Sequence, residues 1–181
     1  MRPLQLTFAI IKPHVVKQPL VLETIRDMIL TSNFKVVKTR RHAFTLKEAE
    51  LFYEEHRNKF FYNRLVTFMT SGPSDFYILA RDDAIKEWRK LMGPTKVFKT
   101  QFEAPDSIRG QFGLSDTRNA THGSDSPESV RKEVGLFFPH FDIENWYQEE
   151  EPKFRANQLE FIREFFIHKV IEDARTVKKT E

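Results

Sequence analysis

His122 is the residue of this chain whose surroundings most suggest chemistry. It lies between Asn119 and the small-residue pair Gly123-Ser124, just ahead of a predicted helix start at Ser126. An imidazole is partly unprotonated near neutral pH, so one ring nitrogen can act as a nucleophile. Glu133 follows on that helix, and its carboxylate is able to hold the other ring nitrogen. A nucleophile that is oriented by a second group is the general form of covalent catalysis.

Composition and charge narrow the classes of protein to which the chain can belong. Its 181 residues indicate one domain, and the absence of cysteine excludes disulfides and thiolate metal sites. The net charge is +3, and the 29 Lys+Arg and 26 Asp+Glu are interspersed, so we expect no polybasic nucleic-acid arm. No apolar run reaches the ~18 residues that a membrane span needs. We interpret the N-terminus as a strand and not a signal peptide, which favours the cytoplasm.

Hydrophobic patterns predict an alternation of strands and helices. Strands are predicted over residues 6–11, 34–43, 76–80 and 118–121. Helices are predicted over residues 20–30, 62–70 and 82–92, after a capping box at 45–48, and after Ser126. Residues 95–117 are predicted to be irregular, and an ordered loop of that length is usually functional.

This order of elements predicts an α+β fold. Its core would be a ferredoxin-like (βαββαβ) antiparallel sheet with helices on one face. Residues 1–150 are assigned to one domain, and residues 151–181 to a C-terminal helical extension beyond a hinge. Asn157 and Glu160 have the spacing of a helix N-cap and its third residue, and a broad apolar stripe follows. We expect this helix either to pack on the main domain or to contact a partner or a membrane surface.

Several motifs together resemble one known family. Residues 119–126, which read Asn-Ala-Thr-His-Gly-Ser-Asp-Ser, resemble the N-x-x-H-G-S-D-S signature of nucleoside diphosphate kinases. Ile11-Lys12-Pro13 looks like the family's first-strand lysine, and residues 107–110 resemble its T-I-R-G segment. Further residues stand where the family has functional ones, namely Tyr53, Phe61, Arg89, Thr95 and Glu133. The resemblance covers roughly residues 5 to 147 and makes residues 1–150 a kinase-like catalytic domain.

The resemblance implies a ping-pong phosphoryl transfer between nucleotides. ATP would phosphorylate His122, and a second nucleoside diphosphate would then accept the phosphoryl group. Arg89 and Arg109 would grip the phosphates with planar donors, and Thr95 would offer a hydroxyl group to a phosphate oxygen. Phosphoryl transfer needs alignment and charge neutralisation more than covalent help from the protein, which suits these residue types.

The resemblance also assigns the remaining nucleotide contacts. Lys12 and Asn119 would bind the ribose hydroxyl groups, with Lys12 also stabilising charge near the transferred group. Tyr53 would hold Lys12 by a hydrogen bond. Phe61 would stack on the base, a contact that tolerates different bases and implies a kinase that supplies several non-ATP nucleoside triphosphates.

The catalytic histidine and the metal are assigned in the same way. Glu133 would accept from one nitrogen of His122, and Ser124 would hold Glu133. Mg²⁺ would be carried by the nucleotide phosphates, with Asp125 reaching it through water. A phosphate-bridging Mg²⁺ of this kind needs no cage made wholly of protein ligands.

Three features differ from the common pattern of the family. His14 replaces the usual aspartate after Lys12-Pro13, and Asp116 stands where a small apolar residue usually brackets the base. The loop after Thr95 is longer than usual, and in the family this loop helps to build a hexamer. We therefore expect a monomer or dimer, and a base affinity that Asp116 could weaken.

The sequence leaves two functions open for this chain. The first is an active nucleoside diphosphate kinase in the cytoplasm, with association to mitochondria suggested by the resemblance. The second is a weakly active or inactive protein on a kinase fold, which would act on a protein partner through its enlarged loop and C-terminal helix.

Overall fold

A computed structural model describes residues 2–171, which fold around a four-stranded antiparallel sheet. Its strands are β1 (Gln5–Ile11), β2 (Lys35–Ala43), β3 (Pro73–Arg81) and β4 (Thr121–Gly123). The order across the sheet is β2-β3-β1-β4, with β1 paired antiparallel to both β3 and β4. The predicted α+β, ferredoxin-like fold class is confirmed.

Helices connect and cover these strands. The helices of the described residues are α1 (Pro13–Val16), α2 (Pro19–Thr31), α3 (Leu46–Phe52), α4 (Tyr62–Met69), α5 (Ala84–Met92), α6 (Val97–Glu103), α7 (Ile108–Phe112), α8 (Pro127–Phe137), α9 (Ile143–Glu149) and α10 (Glu151–Arg155). A single 3₁₀ turn, Glu54–His56, lies between α3 and α4. The capping box of α3 is confirmed, because Thr45 accepts from the Glu48 amide while the Glu48 carboxylate accepts from the Thr45 amide.

The sheet is covered on both faces, so the prediction of helices on one face was wrong. Leu6, Phe8 and Ile10 of β1 pack in a cluster with residues of α3, α4 and α8. Ala9 and Ile11 point the other way, into a second cluster with residues of α2 and α5. From Leu6 to Ile11 every residue of β1 is apolar except the buried Thr7, which is the pattern of a strand that is buried on both sides.

Residues 95–117 are more regular than predicted, because they contain both α6 and α7. The hydroxyl of Ser107 caps α7 by accepting from the Gly110 amide at 3.1 Å. The fourth strand also begins later than predicted, at Thr121, so that His122 lies within β4 and pairs with Ile10.

The predicted C-terminal helix was wrong, because residues 159–170 form a hairpin. Strand β5 (Leu159–Ile162) pairs antiparallel with β6 (Ile167–Val170). Asn157, interpreted as a helix start, instead ends α10 in a left-handed conformation with φ 56°. The Asn157 amide donates to the Phe154 carbonyl at 3.1 Å and the Gln158 amide to the Lys153 carbonyl at 3.0 Å. This pair of bonds is the Schellman arrangement of a helix C-terminus.

The hairpin packs against the main sheet. His168 Nδ1 accepts from the Val36 amide at 2.9 Å, and the Thr39 hydroxyl donates to the Phe166 carbonyl at 2.6 Å. The Phe166 ring is buried, 4.8 Å from the Arg26 guanidinium. The division into domains at residue 150 stays a prediction, and residues 172–181 of the predicted extension lie outside the described residues. None of the helices within residues 2–171 is both long and apolar enough to cross a membrane.

Residues 149–152 were predicted to be a hinge, but this segment is fixed to the start of the main sheet. The buried Glu151 carboxylate accepts from the Leu4 amide at 2.8 Å and lies 3.3 Å from Arg155 Nε. A buried carboxylate with two such partners holds α10 in place against the first strand.

Candidate active site

His122 is placed by the pairing of β4 with β1 and by a contact from α5. Trp88 Nε1 donates to the His122 carbonyl at 3.1 Å, which ties the strand to the helix. Gly123 is required beside it, because a Cβ at that position would overlap the indole ring of Trp88. The ring of Phe52 lies edge-on to the imidazole, with 4.9 Å between ring centroids.

A carboxylate and a hydroxyl orient the imidazole. His122 Nε2 lies 2.8 Å from Glu133 Oε1, and the Ser124 hydroxyl donates to Glu133 Oε2. Glu133 is carried by α8, whose first turn is capped by Ser126 accepting from the Ser129 amide at 3.1 Å. This arrangement leaves His122 Nδ1 as the ring nitrogen that is open to a ligand. The contacts between His122 and Glu133 and between Glu133 and Ser124 are those that were predicted.

The chain reaches His122 through a strained turn. Ala120 is fully buried and has φ 73°, a left-handed conformation that alanine rarely adopts. The Thr121 amide donates to the Asn119 carbonyl at 3.0 Å, which closes a γ-turn around Ala120. The Lys12 amide donates to the Ala120 carbonyl at 2.9 Å and holds this turn against the end of β1. Strain of this kind clusters at functional sites.

A cavity of about 700 Å³ opens beside His122. The lining of this cavity includes ten of the residues predicted for the site, namely Lys12, Tyr53, Phe61, Arg89, Thr95, Arg109, Asn119, His122, Asp125 and Glu133. Ser124 lies behind Glu133 and is buried. Residues that sequence reasoning missed also line the cavity, namely Phe52, His56, Phe60, Arg64 and Lys96.

Lys12 is a buried ammonium group at the end of β1. Its Nζ donates to the Thr117 carbonyl at 3.4 Å. Burial, and then the charge of Arg109, lower the pKa of Lys12 to about 7. Tyr53 lines the same cavity, and burial and the Glu133 charge raise the pKa of its phenol. No hydrogen bond joins Tyr53 to Lys12 among residues 2–171, and the role of Tyr53 in holding Lys12 stays a prediction.

Arg109 is more deeply built into the protein than the sequence indicated. Its guanidinium donates to the carbonyls of Gly93 at 2.8 Å, Asn119 at 3.3 Å and Thr121 at 3.0 Å. Burial, and then the charge of Arg89, lower the pKa of Arg109 to about 10. Two of its five N–H donors remain for a ligand. Arg109 therefore joins the end of α5 to the strained turn before His122, whereas Arg89 is exposed at the cavity.

Asn119 and Asp116 fix the loop that leads to the site. Asn119 Nδ2 donates to the Asp116 carbonyl at 3.1 Å, while its Oδ1 is buried without a partner among the described residues. Asp116 Oδ1 accepts from the amide of Val97, the first residue of α6, at 3.2 Å. The Asp116 contact bridges positions far apart in sequence, so no local spacing could have predicted it.

The half-buried His122, bonded to Glu133 beside a cavity lined by cationic side chains at the edge of a ferredoxin-like sheet, forms the kind of site that a phosphotransferase needs. The family model for nucleoside diphosphate kinase matches residues 5–143, and this chain belongs to that family.

The relatives place the chain more finely. A nucleoside diphosphate kinase 6 from Mus musculus is 53% identical over 165 residues, which cover 91% of this chain and 87% of that protein. The family resemblance predicted from the motifs is confirmed. The structure of a nucleoside diphosphate kinase from Aquifex aeolicus superposes with a TM-score of 0.71 at 38% identity, covering 75% of this chain and 95% of that one. A halophilic nucleoside diphosphate kinase from Halobacterium salinarum, in complex with CDP, has a TM-score of 0.68 at 32% identity, covering 77% and 89%.

Proposed function

We propose that this protein transfers the γ-phosphoryl group of ATP to nucleoside diphosphates by a ping-pong mechanism through His122. The observation that carries the proposal is the hydrogen-bonded series from Ser124 through Glu133 to His122 Nε2, which leaves Nδ1 available beside a cavity. Such an activity would supply the GTP, CTP and UTP that a cell makes from their diphosphates.

The transfer consists of two matched displacements. In the first, a bond forms between His122 Nδ1 and the γ-phosphorus of ATP, while the bond from that phosphorus to the ADP oxygen breaks. In the second, a terminal oxygen of another nucleoside diphosphate attacks the phosphorus and the bond to Nδ1 breaks. Glu133 stabilises the charge that develops on the imidazole, because its carboxylate lies 2.8 Å from Nε2.

Three cations would neutralise the phosphates. Lys12 and Arg109 are held by carbonyl groups at the inner end of the cavity, and Arg89 is exposed near Asp125. Thr95 adds a hydroxyl group to the same lining. Fixed donors of this kind stabilise a transferring phosphoryl group without reorganising during the reaction.

The remaining contacts suit a nucleoside. The unpartnered Oδ1 of Asn119 is a buried acceptor that a ribose hydroxyl group could satisfy, and leaving such an atom unpaired is costly. Phe61 would stack on the base, as a half-buried ring in the lining. The bound CDP of the Halobacterium salinarum protein supports a nucleotide of this size.

Mg²⁺ is the cofactor that we propose, carried by the nucleotide phosphates. It would neutralise phosphate charge when bound. A phosphate-bridging Mg²⁺ needs no cage made wholly of protein ligands, so the proposal relies on the nucleotide phosphates and on Asp125. Asp125 is exposed in the lining, and hydrogen bonds led by that from Ser129 at 2.6 Å lower the pKa of its carboxyl. An ionised carboxylate there fits a contact through water.

We further propose a monomer or dimer in the cytoplasm, with association to mitochondria, as the sequence indicated. The support for the small assembly is the hairpin 159–170, which lies on the outermost strand β2 and bonds to Val36 and Thr39. A covered edge strand is not open to pair with another chain. Light scattering tests this, and a stable hexamer would contradict it.

The second function, a weakly active interaction protein, is favoured by one feature. Phe98 and Phe102 of α6 are 76% and 75% exposed, and their rings pack together on the surface of the enlarged loop. Exposed aromatic pairs of this kind are typical of contact surfaces. Pull-down of a partner that Phe98→Ser and Phe102→Ser abolish, together with an absence of transfer, would favour this function over the first.

Initial rates at several fixed ATP concentrations test the kinase proposal. A ping-pong mechanism gives parallel lines in reciprocal plots against the acceptor diphosphate. Intersecting lines would mean direct transfer in a ternary complex and would contradict a phosphohistidine intermediate.

A further inference from the structure

The cavity has an outer end that the transfer chemistry does not use. A series of rings leads away from His122 along one side, through Phe52, Tyr53, His56 and Phe61. Consecutive centroids are 4.9 Å, 4.9 Å, 6.4 Å and 5.5 Å apart, starting from the imidazole. Residues 92–119 supply a second part of the lining, and they include Lys96 and Asp116. The same cavity therefore holds charged groups together with the Phe61 ring that we propose to stack on the base.

The Asp116 carboxylate is held in a defined position. Its Oδ1 accepts from the Val97 amide at 3.2 Å, and its main-chain carbonyl accepts from Asn119 Nδ2 at 3.1 Å. The next carbonyl along the chain, that of Thr117, accepts from Lys12 Nζ. Asp116 Oδ2 makes no hydrogen bond within residues 2–171, so one oxygen of a fixed carboxylate stays available to a ligand.

A fixed carboxylate distinguishes among bases by their hydrogen-bonding groups. It accepts from amino and ring N–H groups and repels carbonyl oxygens, which is why acidic side chains pair with the amino group of cytosine. Guanine presents an N–H and an amino group side by side, whereas the N–H of uracil lies between two carbonyls. Lys96 directly precedes Val97 in the same lining, and its ammonium group would suit the neighbouring carbonyl oxygen of guanine.

We propose that Asp116 selects nucleoside diphosphates whose base carries an amino group, guanine above all, and discriminates against uracil and thymine. The proposal rests on the proposed function, since it assumes that the cavity takes nucleoside diphosphates. It replaces the expectation that Asp116 only weakens base binding. The simpler role, a cap for α6 without any contact to the base, predicts no preference among bases.

Binding of GDP and IDP provides a sharp test, because these nucleotides differ only by the exocyclic amino group. We would titrate each into the full chain, without ATP, and follow binding by calorimetry. The native protein should bind GDP more tightly than IDP by about fivefold, a modest ratio because the carboxylate is exposed to water.

Asp116→Asn is the decisive variant. Its side-chain oxygen can still accept from the Val97 amide, while its amide group replaces the acceptor with a donor. The GDP to IDP ratio should fall to about one, and UDP should gain affinity. Asp106→Asn is the matched control, since it removes the same charge from an exposed position of the same loop outside the cavity lining, and it should keep the native ratio.

The outcomes separate the two proposals. Equal GDP to IDP ratios in the native protein and in Asp116→Asn overturn the selectivity of Asp116, while phosphoryl transfer in the same preparation leaves the kinase standing. If Asp116→Asn lowers the affinity for every nucleotide equally, Asp116 is only a structural cap for α6. That result also overturns the selectivity of Asp116. A protein that binds no nucleoside diphosphate overturns both the kinase and the selectivity.

Discussion

The two ends of the cavity are built differently. At the histidine end, defined by His122, Glu133, Ser124, Lys12 and Arg109, polar groups are bonded to one another or to main-chain carbonyls. At the outer end, defined by His56, Phe60, Phe61, Lys96 and Asp116, most side chains are exposed, and Phe60 is 90% exposed.

Because of this difference, substitutions at one end should change the rate and substitutions at the other should change the affinity. Groups that are fixed before the substrate arrives can stabilise a transition state without reorganising, so changes at the histidine end should lower kcat. Side chains that contact the ligand equally well before and during transfer contribute uniform binding, so changes at the outer end should raise KM.

The largest effect on rate is expected from Glu133→Gln. Without the carboxylate the charge on His122 is less stabilised, so kcat should fall by about 10²-fold, corresponding to ~3 kcal/mol, while KM changes little. Steady-state kinetics with GDP as acceptor measure this. Glu128→Gln is the control, because Glu128 is an exposed carboxylate on the same helix. A fall in kcat of the same size in both variants would contradict a specific role for Glu133.

Substitution of the buried Arg109 (Arg109→Lys) should have a different effect from substitution of the exposed Arg89. A lysine cannot reach the carbonyls of Gly93, Asn119 and Thr121 together, so the free energy of unfolding should fall by about 2 kcal/mol. Denaturant unfolding measures this. Arg89→Lys is expected to slow transfer and to leave the unfolding midpoint nearly unchanged. Identical midpoints for both variants would show that Arg109 does not brace the site.

Phe61→Ala should act on affinity. Loss of a ring that stacks on the base costs ~1–3 kcal/mol, so KM for the acceptor should rise by about tenfold with kcat little changed. Phe60→Ala is the neighbouring control and should have a small effect, since that ring is almost fully exposed. A larger effect from Phe60→Ala would mean that Phe60, and not Phe61, stacks on the base.

The smallest effect is a pH dependence that arises from Lys12. An ammonium group carries its charge below its pKa, so with a pKa of about 7 the free protein loses this charge as pH rises above 7. Affinity for ADP should fall by about fivefold between pH 7 and pH 8. Lys12→Arg keeps its charge over this range and should flatten the profile. A native affinity that stays constant from pH 7 to pH 9 would contradict this assignment.

Local signals explain which parts of the fold were predictable. Helix α8 has a capping serine, a proline at its first position and apolar residues spaced four and three apart, and it forms as predicted. Residues 159–170 carry many apolar residues too, but their preceding Asn157 ends a helix instead of starting one. Helix α6 was missed because the amide of its first residue is capped by Asp116, 19 residues later.

The candidate site also has parts that local sequence signals predict and parts that they do not. Motif spacing identified ten of the residues that line the cavity, because the residue types and their order are local properties of the sequence. The three carbonyl contacts of Arg109 and the strained turn at Ala120 could not be inferred, because they depend on how β4, α5 and α7 pack together.

The central claim is a covalent phosphohistidine, and the intact mass of the protein after brief exposure to Mg·ATP tests it most directly. We predict one acid-labile phosphoryl group per chain, absent in His122→Ala, present in the exposed control His140→Ala, and removed by added GDP. Protein that binds ATP without acquiring this group, or that acquires it equally in His122→Ala, would contradict the account.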